Sequence, residues 1–235
     1  MKYRMFSHLY KQLVKPVLFA CDPENVHDWF IKFGGVLGRS RVLKNITRCL
    51  FRFDHSSLNQ TICGLNFPNP AGLSAGFDKN ADLTNIMEDV GFGFMQVGTI
   101  TLHPYAGNPK PRAVRLPHSR ALVVNYGLKN IGVEKIIEKT RDLDDDFVRS
   151  ISIGKTNCHD TADTDAGVAD YTQCLSRIIE SGVGDIYTIN ISCPNTFGGE
   201  PFITADRLDR LLRSLFRLNI RKPMFLKMPI RLSWE

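Results

Sequence analysis

The stretch Asp185-Ile186-Tyr187-Thr188-Ile189-Asn190-Ile191-Ser192-Cys193-Pro194-Asn195 decides the fold, because a short β-branched run ends in polar residues able to do chemistry. The same order, strand and then functional group, recurs along the chain. Runs that read as strands lie around 71–75, 94–99, 121–124, 150–153, 186–191 and 224–228. Helical patterns fill the gaps around 80–90, 129–140, 163–181 and 204–218. Regular alternation implies parallel strands with right-handed crossovers, so either an open doubly wound sheet or a (β/α)8 TIM barrel. Lys79 follows the first run, Thr99 ends the second, Asn125 follows the third, and Ser152 and Lys155 close the fourth. Asn190, Cys193 and Asn195 follow the fifth, and Lys227 ends the sixth. Six strand ends delivering polar groups to one rim match a barrel, whose active site is built from loops at its C-terminal face. The segment Gln60 to Pro68, with Gly64 in its middle, is expected to form a hairpin that plugs the bottom of that barrel.

Upstream the pattern changes. Phe6, Leu9, Tyr10, Leu13, Val14, Val17 and Leu18 recur at helical spacing, with Pro16 expected to interrupt the run. A second helix is announced by Asp22 as N-cap and Pro23 at its first position, continues through Val26, Trp29, Phe30 and Phe33, and is expected to stop at Gly34-Gly35. A third carries Val42, Leu43, Ile46, Cys49, Leu50 and Phe53. The net charge of +6 belongs to this region: residues 1–52 hold ten Lys or Arg against three acids, and the remainder is near neutral with 20 bases and 21 acids. A basic terminal segment rich in Leu, Phe, Tyr and Trp suits an anionic membrane surface better than a nucleic acid. The expected organisation is therefore an amphipathic helical cap over 1–56 and a (β/α) barrel over 57–235.

Several chemistries are set aside. The six cysteines show no CxxC spacing, which points away from a disulfide framework, and the six histidines show no metal-ligand spacing. Gly154-Lys155-Thr156 imitates the end of a phosphate-binding loop, but Arg149 stands where its first glycine is required, and no GxGxxG follows any strand. No apolar run reaches the roughly 18 residues of a spanning helix, so membrane contact would be peripheral.

The run Asn69-Pro70-Ala71-Gly72-Leu73-Ser74-Ala75-Gly76-Phe77-Asp78-Lys79 resembles a segment of quinone-dependent dihydroorotate dehydrogenases. So do Gly91-Phe92-Gly93 through Val97-Gly98-Thr99, Gly107-Asn108-Pro109-Lys110-Pro111-Arg112 with Arg115-Leu116, and Asn190-Ile191-Ser192-Cys193-Pro194-Asn195-Thr196. The likeness extends from about residue 9 to the end and includes Asp22-Pro23-Glu24 and His27.

That resemblance implies a flavoenzyme of pyrimidine synthesis that oxidises dihydroorotate to orotate, taking a proton from C5 and a hydride from C6, the hydride passing to FMN. It places Cys193 at the catalytic-base position. Lys79, Asn125, Tyr126, Gly127, Leu128, Asn190, Asn195 and Thr196 map to substrate contacts. Ala75, Gly76, Lys79, Thr99, Ser152, Asn190 and Lys227 map to flavin contacts, and His27 and Arg115 to the quinone site. The implied partners are a membrane quinone and peripheral lipid, with no nucleic acid and no metal. The expected location is the cytoplasmic face of the inner membrane of a cell, rather than a mitochondrion, since no Arg-rich, acid-poor leader is seen.

Three departures qualify the match. Cys is typical of the soluble class, whereas capped members usually carry Ser; a thiol ionises more readily than a hydroxyl, so the base is expected to need less help and the pH optimum to move down. The family's Asn before its Tyr-Gly or Met-Gly pair falls on Val124, with Asn125 one residue later, and Ser152 replaces a usual Asn. Finally, about six of eight barrel units are present, so a further segment or second chain is expected to supply the rest. Fumarate or a partner subunit as acceptor, and an inactive membrane-binding relative, remain alternative readings.

Overall fold

The computed structural model describes residues 2–143 and 146–229. Helices α1 (Lys2–Leu9) and α2 (Lys15–Ala20) are joined by a π-helical turn at Tyr10–Val14. Pro16 offers no N–H and its ring would collide with a regular-turn carbonyl, so the expected interruption takes the form of a widened turn. Helix α3 (Pro23–Arg39) starts where the Asp22 carboxylate accepts from the Asn25 N–H at 2.9 Å. It runs through Gly34-Gly35, against expectation. A Cβ at Gly34 would stand 2.5 Å from Leu83 Cδ2, and one at Gly38 3.1 Å from Asn85 Cβ. These glycines let the helix lie directly on residues 82–86 and are contact positions, not a stop. Helix α4 (Arg41–Phe51) is capped by Ser40 and tied to the body by ion pairs from Lys44 and Arg48 to the buried Asp89.

Strands β1 (Gln60–Ile62) and β2 (Leu65–Phe67) form an antiparallel hairpin. Its two-residue turn holds Cys63 and Gly64 at positive φ, the geometry that matches strand twist. There follow β3 (Gly72–Leu73), α5 (Met87–Val90), β4 (Phe94–Ile100), β5 (Ala113–Leu116), β6 (Ala121–Val124), α6 (Val133–Thr140), β7 (Val148–Ile153), α7 (Thr164–Ser181), β8 (Ile186–Asn190), α8 (Ala205–Leu215) and β9 (Met224–Lys227). Five strands make one parallel sheet in the order β3-β4-β7-β8-β9. The order never reverses. A doubly wound sheet reverses at its switch point, so the winding is consistent with a barrel wall, and the sheet is open among the described residues.

Two expectations are corrected. The run at 121–124 is no barrel strand: it pairs antiparallel with β5 in a separate two-stranded ribbon, all four of its residues exposed. The helix expected over 80–90 shrinks to α5. The Asp78 carboxylate accepts from the N–H groups of Asn80, Asp82 and Leu83 and so satisfies the backbone a helix would otherwise have paired.

The two faces of the sheet differ. Val97, Ile151, Ile153 and Ile189 pack outward against Ile136, Leu175, Ile178 and Leu211 of the helices, all fully buried. On the other face, period-2 alternation stacks layers. The lowest is apolar, with Phe67 of the hairpin against Phe94, Val148 and Ile186, so the hairpin does lie under the N-terminal strand ends. The next is polar: Gln96 donates to Ser150 at 3.1 Å and to Thr188 at 2.8 Å. At the C-terminal ends stand Thr99, Ser152, Asn190 and Lys227, where the site forms.

Candidate active site

A cleft of about 450 Å³ opens above the C-terminal strand ends, walled by the loop after β3, the β5–β6 ribbon, the segment after β6 and the loop after β8. One side is a ledge of small residues, Ala75, Gly76, Gly98 and Thr99. Gly76 has φ +104 and nothing within 4 Å of where a Cβ would stand, so a flat ligand could lie on the backbone itself. Gly98 is also at positive φ, and a Cβ there would press on the Ser152 carbonyl.

At the floor the Asn190 amide donates to Thr99 Oγ1 at 2.8 Å, while its oxygen accepts from the Ser192 N–H and hydroxyl. Tyr171 fixes the same strand end by donating to the Asn190 carbonyl at 2.7 Å. One amide hydrogen of Asn190 is left for a ligand. Ser152 donates to or accepts from Thr99 at 2.8 Å and is wholly buried, so it supports the ledge from beneath and does not reach the cleft.

Across from the ledge, Cys193 and Asn195 enter from the loop after β8, and Tyr126, Gly127 and Leu128 from the segment after β6. Burial pushes the Cys193 thiol above its usual range, an effect that the Asn195 N–H and the Lys227 charge partly oppose. Burial thus disfavours the charged form of the thiol relative to a free cysteine, while the expectation set against a serine hydroxyl concerns a far weaker acid. Asn195 donates to the Val124 carbonyl at 3.0 Å, which joins the two walls.

Lys79 comes up beside His27. Its ammonium lies 3.4 Å from His27 Nε2, and burial, followed by the neighbouring Lys129 charge, brings it down to about 8. His27 also contacts the Phe77 carbonyl at 2.8 Å and Asp28 at 3.1 Å, which places α3 on the rim of the cleft. Burial, then the Glu24 and Asp28 charges, pushes Tyr126 up to about 12.

The family model for dihydroorotate dehydrogenase matches residues 57–235. The chain belongs to the dihydroorotate dehydrogenase family. The family member named dihydroorotate dehydrogenase (quinone) from Thermosynechococcus vestitus is 35% identical over 96% of this chain and 63% of its own length. That from Pseudomonas putida is 38% identical over 86% of this chain and 57% of its own length. The chain thus spans about three fifths of the length of these relatives. Two crystal structures of Eimeria tenella DHODH are similar: the complex with ferulenol has a TM-score of 0.75 at 27% identity over 92% of this chain and 64% of that one, and the ligand-free form 0.73 at 29% over 91% and 63%.

Of the residues the dihydroorotate dehydrogenase resemblance singled out, the cleft gathers His27, Ala75, Gly76, Lys79, Thr99, Tyr126, Gly127, Leu128, Asn190, Cys193, Asn195 and Lys227. It leaves out four. Asn125 turns to Asn108, whose amide donates to it at 2.8 Å. Thr196 closes its own loop on the Cys193 and Gly199 carbonyls. Ser152 sits below the ledge. Arg115 donates to the Cys21 carbonyl at 2.7 Å and stacks on Phe19, at the junction of α2 with β5. Sequence reasoning passed over Phe77, Leu122, Val124, Lys129 and Pro194, which also line the cleft. Their signal was weak because apolar wall residues look like any core residue, and a lone lysine such as Lys129 looks like a solvated one. Glu24 was noted only as part of a motif; it is buried among Arg112, Lys129 and Lys110 and pins the start of α3 to the loops around the site.

The cleft fits a flavin in its own terms: a flat glycine ledge, an amide hydrogen at its floor, and Lys79 and Lys227 to offset negative charge on a reduced ring.

Proposed function

We propose that the complete protein oxidises dihydroorotate to orotate in pyrimidine synthesis and passes the electrons to a membrane quinone. The observation that carries this is the meeting of Cys193, Asn190, Asn195 and Lys79 around one cleft at the strand ends of a dihydroorotate dehydrogenase fold. FMN bound along the Ala75–Gly76 and Gly98–Thr99 ledge would supply the hydride acceptor. Cys193, as thiolate, takes the C5 proton of dihydroorotate; the C5–H electron pair becomes the C5=C6 double bond as the hydride leaves C6. Lys227 and the Asn195 N–H favour that thiolate against the cost of burial. Asn190 and Asn195 present amides to the pyrimidine edge, and Lys79 offers its cation to negative charge on substrate and ring.

The five-stranded wall supports a (β/α)8 barrel completed by strands beyond β9. The exposed apolar residues of α1 to α4 support a cap that rests on lipid at the cytoplasmic face of the inner membrane. His27, on the rim of the cleft, and Arg115, between α2 and the ribbon, are the polar groups a quinone entering under that cap would meet.

The full-length protein is tested with dihydroorotate and either a short-chain quinone or fumarate, following orotate by absorbance. Orotate is expected with the quinone, and Cys193→Ala is expected to lower kcat by at least about a hundredfold. Faster turnover with fumarate would refute the acceptor, and no orotate with either would refute the reaction.

A further inference from the structure

The loop that carries Cys193 is held by its backbone, and the residues that hold it lie on other elements. Phe197 N–H donates to Asn157 Oδ1 at 2.6 Å, and the Phe197 carbonyl accepts from Lys155 Nζ at 3.2 Å. Both polar groups of one residue, four past the thiol, are thus gripped from the loop between β7 and α7. Asn157 uses its amide nitrogen as well, donating to the Gly127 carbonyl at 3.0 Å and to Asn108 Oδ1 at 3.2 Å. Asn108 in turn donates to the Asn195 carbonyl at 2.9 Å.

Neither residue touches the cleft. Lys155 is 2% exposed, and its hydrogen bonds go to Thr156 O, Thr161 Oγ1 and Phe197 O, none to a carboxylate. A buried ammonium is costly, and burial holds Lys155 below the ordinary lysine range. An apolar side chain would fill the same space more cheaply, so the three donated bonds are what the lysine adds. Asn157 likewise satisfies both ends of its amide on two different walls of the cleft.

We propose that Lys155 and Asn157 are positioning residues, a clamp that fixes the Cys193 loop against the Gly127 wall and so sets the height of the thiol above the substrate. The assignment rests on the reading of Cys193 as the base. The Cys193 loop contains Pro194, Gly198 and Gly199 and is half-exposed for much of its length; beyond the clamp, Asn195 ties it to Val124 and Asn108 on the opposite wall. A shift of about 1 Å at a reacting group can cost about a hundredfold in rate.

The test compares wild type with Asn157→Ala and Lys155→Met in the full-length holoenzyme. The first readout is alkylation of Cys193 by iodoacetamide, followed by peptide mass and normalised to the exposed Cys49 and Cys63. A loosened loop exposes the thiol, so the ratio is expected to rise about tenfold in both variants, while kcat falls at least about tenfold and KM for dihydroorotate moves less than about threefold. Asn157→Asp keeps the acceptor for Phe197 N–H but sets a carboxylate oxygen against the Gly127 carbonyl and Asn108 Oδ1, so it breaks the Gly127 half of the clamp and is expected to raise the alkylation ratio as well; should Asn157→Ala not fold, Asn157→Ser carries the same expectation as alanine. An unchanged ratio in the folded variants overturns the proposal, as does a raised ratio with kcat intact. A wild type that makes no orotate would refute the reaction, and the alkylation ratio would still decide the clamp.

Discussion

Lys79 holds its ammonium 4.2 Å from the centre of the Tyr126 ring, a cation over an aromatic face inside the cleft. Burial and Lys129 bring Lys79 down to about 8, while burial pushes Cys193 up. On the proposed mechanism the active form has the first protonated and the second ionised. Below about 8 the lysine is fully charged and only thiolate is gained as pH rises, so kcat/KM, which reports the free enzyme, should climb tenfold per pH step. Above that value loss of ammonium offsets gain of thiolate and the profile flattens, falling only past the thiol. In Lys79→Arg the cation never titrates, and the climb should continue through the ordinary thiol range. A break at the same pH in both proteins would take Lys79 out of the active form.

Glu24 makes a different prediction, one of stability. Its carboxylate is 3% exposed and lies 3.1 Å from Arg112 and 3.2 Å from Lys129, so it joins α3 to two loops of the site. Glu24→Gln keeps the shape and removes the charge, leaving the half-buried cations facing one another. The cost should be about 2 kcal/mol, below that of breaking a fully buried pair because Lys129 and Lys110 remain partly solvated. Urea denaturation measures it as a lower midpoint at unchanged slope. An unshifted midpoint would mean that solvent already screens the cluster.

How much of this was legible in the sequence depended on whether the local pattern and the tertiary use agreed. Ile186–Asn190 was readable as a near-continuous β-branched and aromatic run ending at a polar residue, and Val148–Ile153 by the alternation of Ser150 and Ser152 with Ile151 and Ile153. Ala121–Val124 gave the same apolar signal and was misassigned, since nothing in Ala-Leu-Val-Val says that its partner is the ribbon strand at 113–116. Residues 80–86 look helical, and one buried carboxylate, Asp78, takes three of their N–H groups. In the site, Asn190 and Cys193 stood out as polar residues just past a strand. Asn157 and Asn108 did not, because their work lies in bonds to distant backbone groups.

The N-terminal helices leave one apolar face largely exposed among the described residues, and this gives the last prediction. On α3, Gly34 and Gly38 lie on Leu83 and Asn85, while Trp29, Phe33 and Val36 on the opposite side are 55%, 60% and 54% exposed. Val42 and Ile46 of α4 are exposed too, beside basic residues of a segment that carries most of the positive charge. No described helix is long and apolar enough to cross a membrane. A face of this kind can be buried in a headgroup layer, with anionic lipid answering the charge. The full-length protein should therefore sediment with vesicles of anionic phospholipid more than with neutral ones, and less at high salt. Removing two large apolar groups in Trp29→Ser/Phe33→Ser should weaken that binding about tenfold or more, given roughly 1.5–3 kcal/mol for a fully buried large side chain and partial burial here. The same double variant should keep its thermal midpoint, because neither side chain supports the body. Equal sedimentation of variant and parent would show that this face of α3 is not what meets the lipid.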